Sequence, residues 1–77
     1  MNSKLKNSDT DFLFKAILSL ENEEECYRFF EDLCTSPELK AMSQRLVVAK
    51  MLTEKKVYSE IVKETGASTA TISRVKR

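Results

Sequence analysis

Val57-Tyr58-Ser59-Glu60-Ile61-Val62-Lys63-Glu64-Thr65-Gly66-Ala67-Ser68-Thr69-Ala70-Thr71-Ile72-Ser73-Arg74-Val75-Lys76-Arg77 reads as a short helix, a tight turn and a second helix. Gly66, the only glycine of the chain, stands where a helix ends in a left-handed residue, a conformation that costs little without a Cβ. Ser68 is placed to cap the second helix by accepting from backbone N–H groups, after a turn of about three to four residues. Ile61, Val62, Ala67, Ile72 and Val75 are apolar where two crossed helices must touch. What remains outward on the second helix is small, hydroxylic or basic: Ser68, Thr69, Ala70, Ser73 and Arg74. A helix that approaches base edges in a major groove about 12 Å wide needs such short side chains near its N-terminus. Thr and Ser donate or accept there, and Ala or a Thr methyl meets a thymine methyl. Arg74, Lys76 and Arg77, with Lys63 on the first helix, are cations for phosphate or guanine contacts. The pattern therefore points to a DNA-binding helix-turn-helix over residues 55–77, with Ser68, Thr69, Ala70, Thr71, Ser73, Arg74, Lys63, Lys76 and Arg77 as its candidate contacts.

Working back from this segment, Thr35-Ser36-Pro37-Glu38 is the strongest helix start, with Ser36 expected as N-cap and Pro37 at the first helical position. A long helix is expected to follow to about Glu54. Its apolar residues Leu39, Met42, Leu46, Val47, Val48, Ala49 and Leu52 cover more than one stripe, which predicts a spine buried on two sides. Lys55-Lys56 marks the break after it, where cations favour a helix C-terminus. Upstream, Asn22 is a good N-cap with Glu25 three residues on, so Glu23-Glu24-Glu25 reads as a helix start rather than a metal-binding cluster. Cys26, Phe29, Phe30, Leu33 and Cys34 form an apolar stripe, read as core or dimer interface. A first helix is expected from Asp9-Thr10-Asp11, as capping and first-turn residues, to about Leu20. Residues 1–8 are expected to be flexible and 9–54 to form a helical dimerisation platform, the whole being one domain.

Composition excludes several classes. With 77 residues the chain is one small domain, and help from a partner subunit is expected at this size. There is no histidine, and with no glycine-rich loop an enzyme is not expected. Cys26 and Cys34, read as lying in one helix about 12 Å apart along its axis, are too far apart for a disulfide. They are read as buried or half-buried thiols of a reducing cytosol, and two cysteines without histidine make no zinc site. No apolar run approaches a signal-peptide core or a membrane span, so a cytoplasmic protein is expected, with no membrane and no metal partner. Residues 1–35 carry four lysines and arginines against eight aspartates and glutamates, and residues 36–77 carry nine against four. An acidic N-terminal platform and a basic C-terminal half suit a nucleic-acid face built on a separate packing region.

The stretch from Thr35 through Arg74 resembles the Trp repressor superfamily, and the whole chain resembles its small YerC/YecD-like subgroup of bacterial regulators. The matching residues are Thr35-Ser36-Pro37-Glu38, Arg45, and Gly66 through Arg74. The resemblance implies an all-α, intertwined homodimer whose two helix-turn-helix units address successive major grooves of double-stranded DNA. It places Thr69, Ala70 and Ser73 at base edges, and it matches Arg45, Arg74 and Thr35 to an effector pocket. Val75 replaces a glycine that leaves room for the indole of the corepressor, so tryptophan is not the expected effector; no cofactor is assigned, and a different small-molecule corepressor stays open. Ser59 and Val62 replace an arginine and a lysine that touch DNA, with Lys63 adjacent, so the operator is expected to differ. Members usually continue through a further helix, so a chain ending at Arg77 is expected to be a shortened form with a weaker dimer. The function implied is sequence-specific transcriptional regulation, as a repressor on a pseudo-palindromic operator. The alternative is a helical protein–protein interaction module with the same fold and no DNA binding.

Overall fold

A computed structural model describes residues 4–76, so Arg77 and the first three residues of the expected flexible start lie outside the described residues. The described residues form five helices and no strand: α1 (Ser8–Leu18), α2 (Glu23–Leu33), α3 (Ser36–Thr53), α4 (Tyr58–Thr65) and α5 (Thr69–Lys76). They fall into two compact units that divide between Leu33 and Cys34, so α3 is grouped with α4 and α5.

In the first unit, α1 is capped by Asn7, whose Oδ1 accepts from the Thr10 amide at 2.8 Å. The cap therefore precedes the expected Asp9-Thr10-Asp11, while Asp9 and Asp11 occupy the first turn and complement the dipole there. Lys6 pairs with Asp11 at 3.1 Å across the same turn. The helix stops at Leu18 rather than Leu20, with Ser19 as C-cap, its hydroxyl donating to the Ala16 carbonyl at 2.6 Å. Asn22 caps α2 as its spacing predicts, accepting from the Glu25 amide at 2.9 Å, and the Glu25 carboxylate accepts from the Glu21 amide at 2.9 Å. Phe29 and Phe30 meet edge to face, with ring centroids 5.2 Å apart. Arg28 and Glu24 pair one turn apart. No residue of α1 or α2 is buried within the protomer.

The second unit holds the core. Cys34 lies past the end of α2, not inside one helix with Cys26, and both cysteines are free and half-buried. Thr35, not Ser36, is the N-cap of α3. Its hydroxyl accepts from the Glu38 amide at 3.3 Å, and the Glu38 carboxylate accepts from the Thr35 amide at 2.8 Å. This reciprocal box needs the acidic residue three positions after the cap, a spacing that Thr35 satisfies and Ser36 does not. The Thr35 amide and hydroxyl hold the Glu38 carboxyl below the usual glutamate range. A depressed folded value contributes stability that is present above the ordinary glutamate pKa of about 4.3 and lost as pH falls through the lower folded value. Thr35→Ala is expected to lower unfolding stability by about 1 kcal/mol near neutral pH. Its deficit should shrink below about pH 4, as read from thermal melts by circular dichroism across that range.

α3 ends in a Schellman arrangement: the Lys55 amide donates to the Leu52 carbonyl at 3.0 Å and the Lys56 amide to the Met51 carbonyl at 3.1 Å. Lys55 takes the left-handed position with φ of 61°. A side chain there carries a strain that glycine would avoid. Val48 and Met51 of α3, Ile61 of α4, Ala67 of the turn and Ile72 of α5 are the buried residues. Leu52, Tyr58, Val62 and Val75 pack around them. Within the protomer one side of α3 is buried, while Leu46, Val47 and Met42 are exposed, and Leu46, Val47, Ala49, Lys50 and Thr53 line an open apolar groove of about 450 Å³.

Candidate nucleic-acid interface

The site begins with the turn that sets α5 against α4. Gly66 closes α4 at φ 74°, its amide donating to the Val62 carbonyl at 2.9 Å. Thr65 reinforces that ending: its hydroxyl donates to the Ile61 carbonyl at 2.7 Å and accepts from the Ala67 amide at 3.1 Å. Its carbonyl accepts from Gln44 Nε2 of α3 at 3.0 Å, which ties the turn to the long helix. Ser68 caps α5, its oxygen accepting from the Thr71 amide at 3.1 Å while its hydroxyl donates to Thr71 Oγ1 at 3.1 Å. Beneath these bonds, Ile61 and Ile72 are fully buried, and Ala67, between them in sequence, is buried as well.

With Ile72 and Val75 turned to the core, the opposite face of α5 is fixed as the exposed one. Thr69 and Ser73 lie one turn apart on it, as do Ala70 and Arg74, and all four are exposed. The structure thus brings Thr69, Ala70, Ser73 and Arg74 onto one edge. Ser68 and Thr71 are placed differently, with their hydroxyls engaged in the cap and Thr71 half-buried. Lys63 is exposed in the last turn of α4. Lys76 is exposed at the end of α5, and its Nζ sits 5.7 Å from the centroid of the Tyr58 ring. Among the described residues Lys63, Arg74 and Lys76 have no carboxylate partner. Lys56, by contrast, meets Glu60 at 3.8 Å, four positions on along the chain. The edge is therefore a ridge of short side chains flanked by uncompensated positive charge, suited to close approach to a polyanion.

Of the residues matched to an effector pocket, Thr35 caps α3, Arg45 lies on α3 and Arg74 lies on α5. Arg45 is half-buried and lines an open groove of about 480 Å³ with Pro37, Glu38, Ala41 and Met42, and neither Thr35 nor Arg74 lines it. The Thr35 hydroxyl is engaged with Glu38. Val75 packs against the core cluster. No group of residues able to hold a metal ion occurs among the described residues. No helix among them is long and apolar enough to cross a membrane.

Two features of the site escape a reading of the sequence: the Gln44 bond to Thr65 and the stacking of Lys76 on Tyr58. Both join residues far apart in sequence and depend on where the helices cross. The one available signal is that Gln44, the only glutamine of the chain, stands in the middle of the long helix beside apolar and basic residues.

The family model for the Trp repressor protein matches residues 8–77. The uncharacterized protein YerC of Bacillus subtilis (strain 168) is 61% identical over 74 residues, which is 96% of this chain and 71% of that protein. A crystal structure of a candidate Trp repressor from Staphylococcus aureus matches with a TM-score of 0.92 at 59% identity, over 100% of this chain and 78% of the other. A TrpR-like protein from Eubacterium eligens ATCC 27750 matches with a TM-score of 0.92 at 56% identity, over 99% of this chain and 78% of the other.

Proposed function

Since the chain belongs to the Trp repressor family, an all-α family of regulators and not of enzymes, we propose that it is a bacterial, cytoplasmic DNA-binding regulator that represses transcription by occupying its operator. The observation that carries this reading is the exposed edge of α5, where Thr69, Ala70 and Ser73 stand clear of the core and the nearby cations have no carboxylate partner. Thr69, Ala70 and Ser73 meet base edges, and Arg74, Lys63 and Lys76 meet phosphates. Arg77 belongs to the same basic end by its position in sequence.

The protein acts as a homodimer in this reading. Phe12 of α1 is 76% exposed and Leu46 of α3 is 74% exposed within a protomer, and Phe14, Leu18, Tyr27 and Leu33 add further uncovered apolar surface. A monomer in water rarely leaves so much uncovered. Two-fold symmetry then makes the operator a pseudo-palindrome with half-site centres about 34–36 Å apart or a multiple of that. Tryptophan has no part in this reading, because Val75 packs against the core cluster at the position where a glycine would leave room for the indole.

Selection from a random duplex pool, followed by fluorescence anisotropy with the enriched site, tests the reading. Arg74→Ala is expected to weaken binding about tenfold and to flatten the salt dependence, since one fewer neutralised phosphate takes about 0.9 from the slope of log affinity against log salt. Thr69→Ala and Ser73→Ala are expected to change which sequences are preferred, by about 1–3 kcal/mol at the affected base pair. No enrichment and no binding at low salt would leave the protein–protein module as the better reading.

A further inference from the structure

Lys76 differs from Lys56, the paired cation of the same unit, in what holds it. Lys56 is met by a carboxylate, that of Glu60 in the first turn of α4. Lys76 is met instead by an aromatic face, with its Nζ 5.7 Å from the centroid of the Tyr58 ring. The distinction is electrostatic. A carboxylate partner orients an ammonium and also cancels its field, whereas a ring quadrupole orients the ammonium and leaves its full charge available. Tyr58 is itself fixed, being half-buried and packed against the core cluster at the first residue of α4, so its ring is a rigid rest. A lysine stem with four rotatable bonds otherwise loses much of its rotamer freedom on contact with a ligand. Holding it in advance lowers that loss.

We infer that Tyr58 is a positioning residue, which holds the Lys76 ammonium ready for one backbone phosphate of bound DNA. The inference rests on the DNA-binding reading of α5 and adds a residue that reading does not use. Tyr58 acts through its ring face and not through its hydroxyl, and it joins the start of α4 to the end of α5 at the surface that faces the duplex. The contact carries no sequence information, because it ends on a phosphate.

The test is anisotropy titration of a non-specific duplex at several salt concentrations, with circular dichroism melts as a control on folding. Lys76→Met is expected to reduce the slope of log affinity against log salt by about 0.9, and Lys76→Arg to restore it. Tyr58→Leu is expected to weaken binding about two- to five-fold while Tyr58→Phe binds as the wild type does. Lys76→Met should cost less in the Tyr58→Leu background than alone, which a purely structural role for Tyr58 would not produce. A Lys76→Met slope equal to the wild-type slope overturns the proposal, and because Lys76 is exposed this arm does not depend on the Tyr58 variants folding well. A Tyr58→Phe protein as weak as Tyr58→Leu overturns it too, by assigning the effect to the hydroxyl. Absence of wild-type binding to any duplex at low salt is a different result, and it sinks the DNA-binding reading on which the proposal stands.

Discussion

Ile72→Ala is expected to lower the unfolding free energy by about 2–5 kcal/mol and to abolish DNA binding at temperatures where the wild type still binds. Ile72 is 0% exposed and is the one buried residue that α5 contributes to the core, clustered with Val48, Met51, Ile61 and Ala67. Truncation leaves a cavity in a core with few other residues to close it, and it removes the anchor that seats α5 on the rest of the unit. Globular proteins have stabilities of only about 5–15 kcal/mol, so the loss is a large share of the total. Urea titration followed by circular dichroism is the measurement, with Ile72→Val as the graded control at about 0.5–1.5 kcal/mol. An unchanged midpoint for Ile72→Ala would mean that α5 is not held by this contact.

Ala70→Glu is expected to separate folding from binding. Ala70 is exposed at the second residue of α5, and the first turn of that helix holds no acidic residue. A glutamate there complements the helix dipole, so the melting temperature should stay level or rise slightly. The same carboxylate would face the bases and phosphates of bound DNA, where juxtaposed like charges cost several kcal/mol. Affinity should therefore fall about a hundredfold or more at low salt, measured by anisotropy beside the melt. Wild-type affinity in this variant would remove the exposed edge of α5 from the interface.

Local chemistry makes the helix-turn-helix legible from sequence. Gly66 has few reasons to stand alone between two amphipathic stretches other than a left-handed helix end, and it adopts φ 74°. Ser68 caps α5 through a bond to the residue three positions on, a relation already present in the chain order. The same reasoning picks the wrong cap at α3, because Ser36 before Pro37 is a good pattern while the reciprocal bonds of Thr35 and Glu38 are a better one. It starts α1 too late for a similar reason, since Asn7 competes successfully with the aspartates that follow it. The apolar character of Cys34 continues the stripe of α2, but a stripe does not say where backbone hydrogen bonding stops, and the helix ends one residue earlier. The candidate contacts of α5 are legible as a face because burial of Ile72 and packing of Val75 fix the rotation of the helix. The division of labour within that face is not, since the bond between the Ser68 and Thr71 hydroxyls and the placing of Lys76 on Tyr58 depend on rotamers and on helix crossing.

The bonds around Thr65 make the corner between α4 and α5 stiff. Its hydroxyl bridges the Ile61 carbonyl and the Ala67 amide, and its carbonyl is held by Gln44 from a third helix. Pitching α5 away from α4 would strain the Ala67 bond and pull Ile72 out of the core cluster it shares with Ile61. On the proposed operator, the protein is then the template and the duplex is the compliant partner. Base steps that α5 never touches acquire an influence on affinity through how cheaply they bend and twist to fit a reading head of fixed shape.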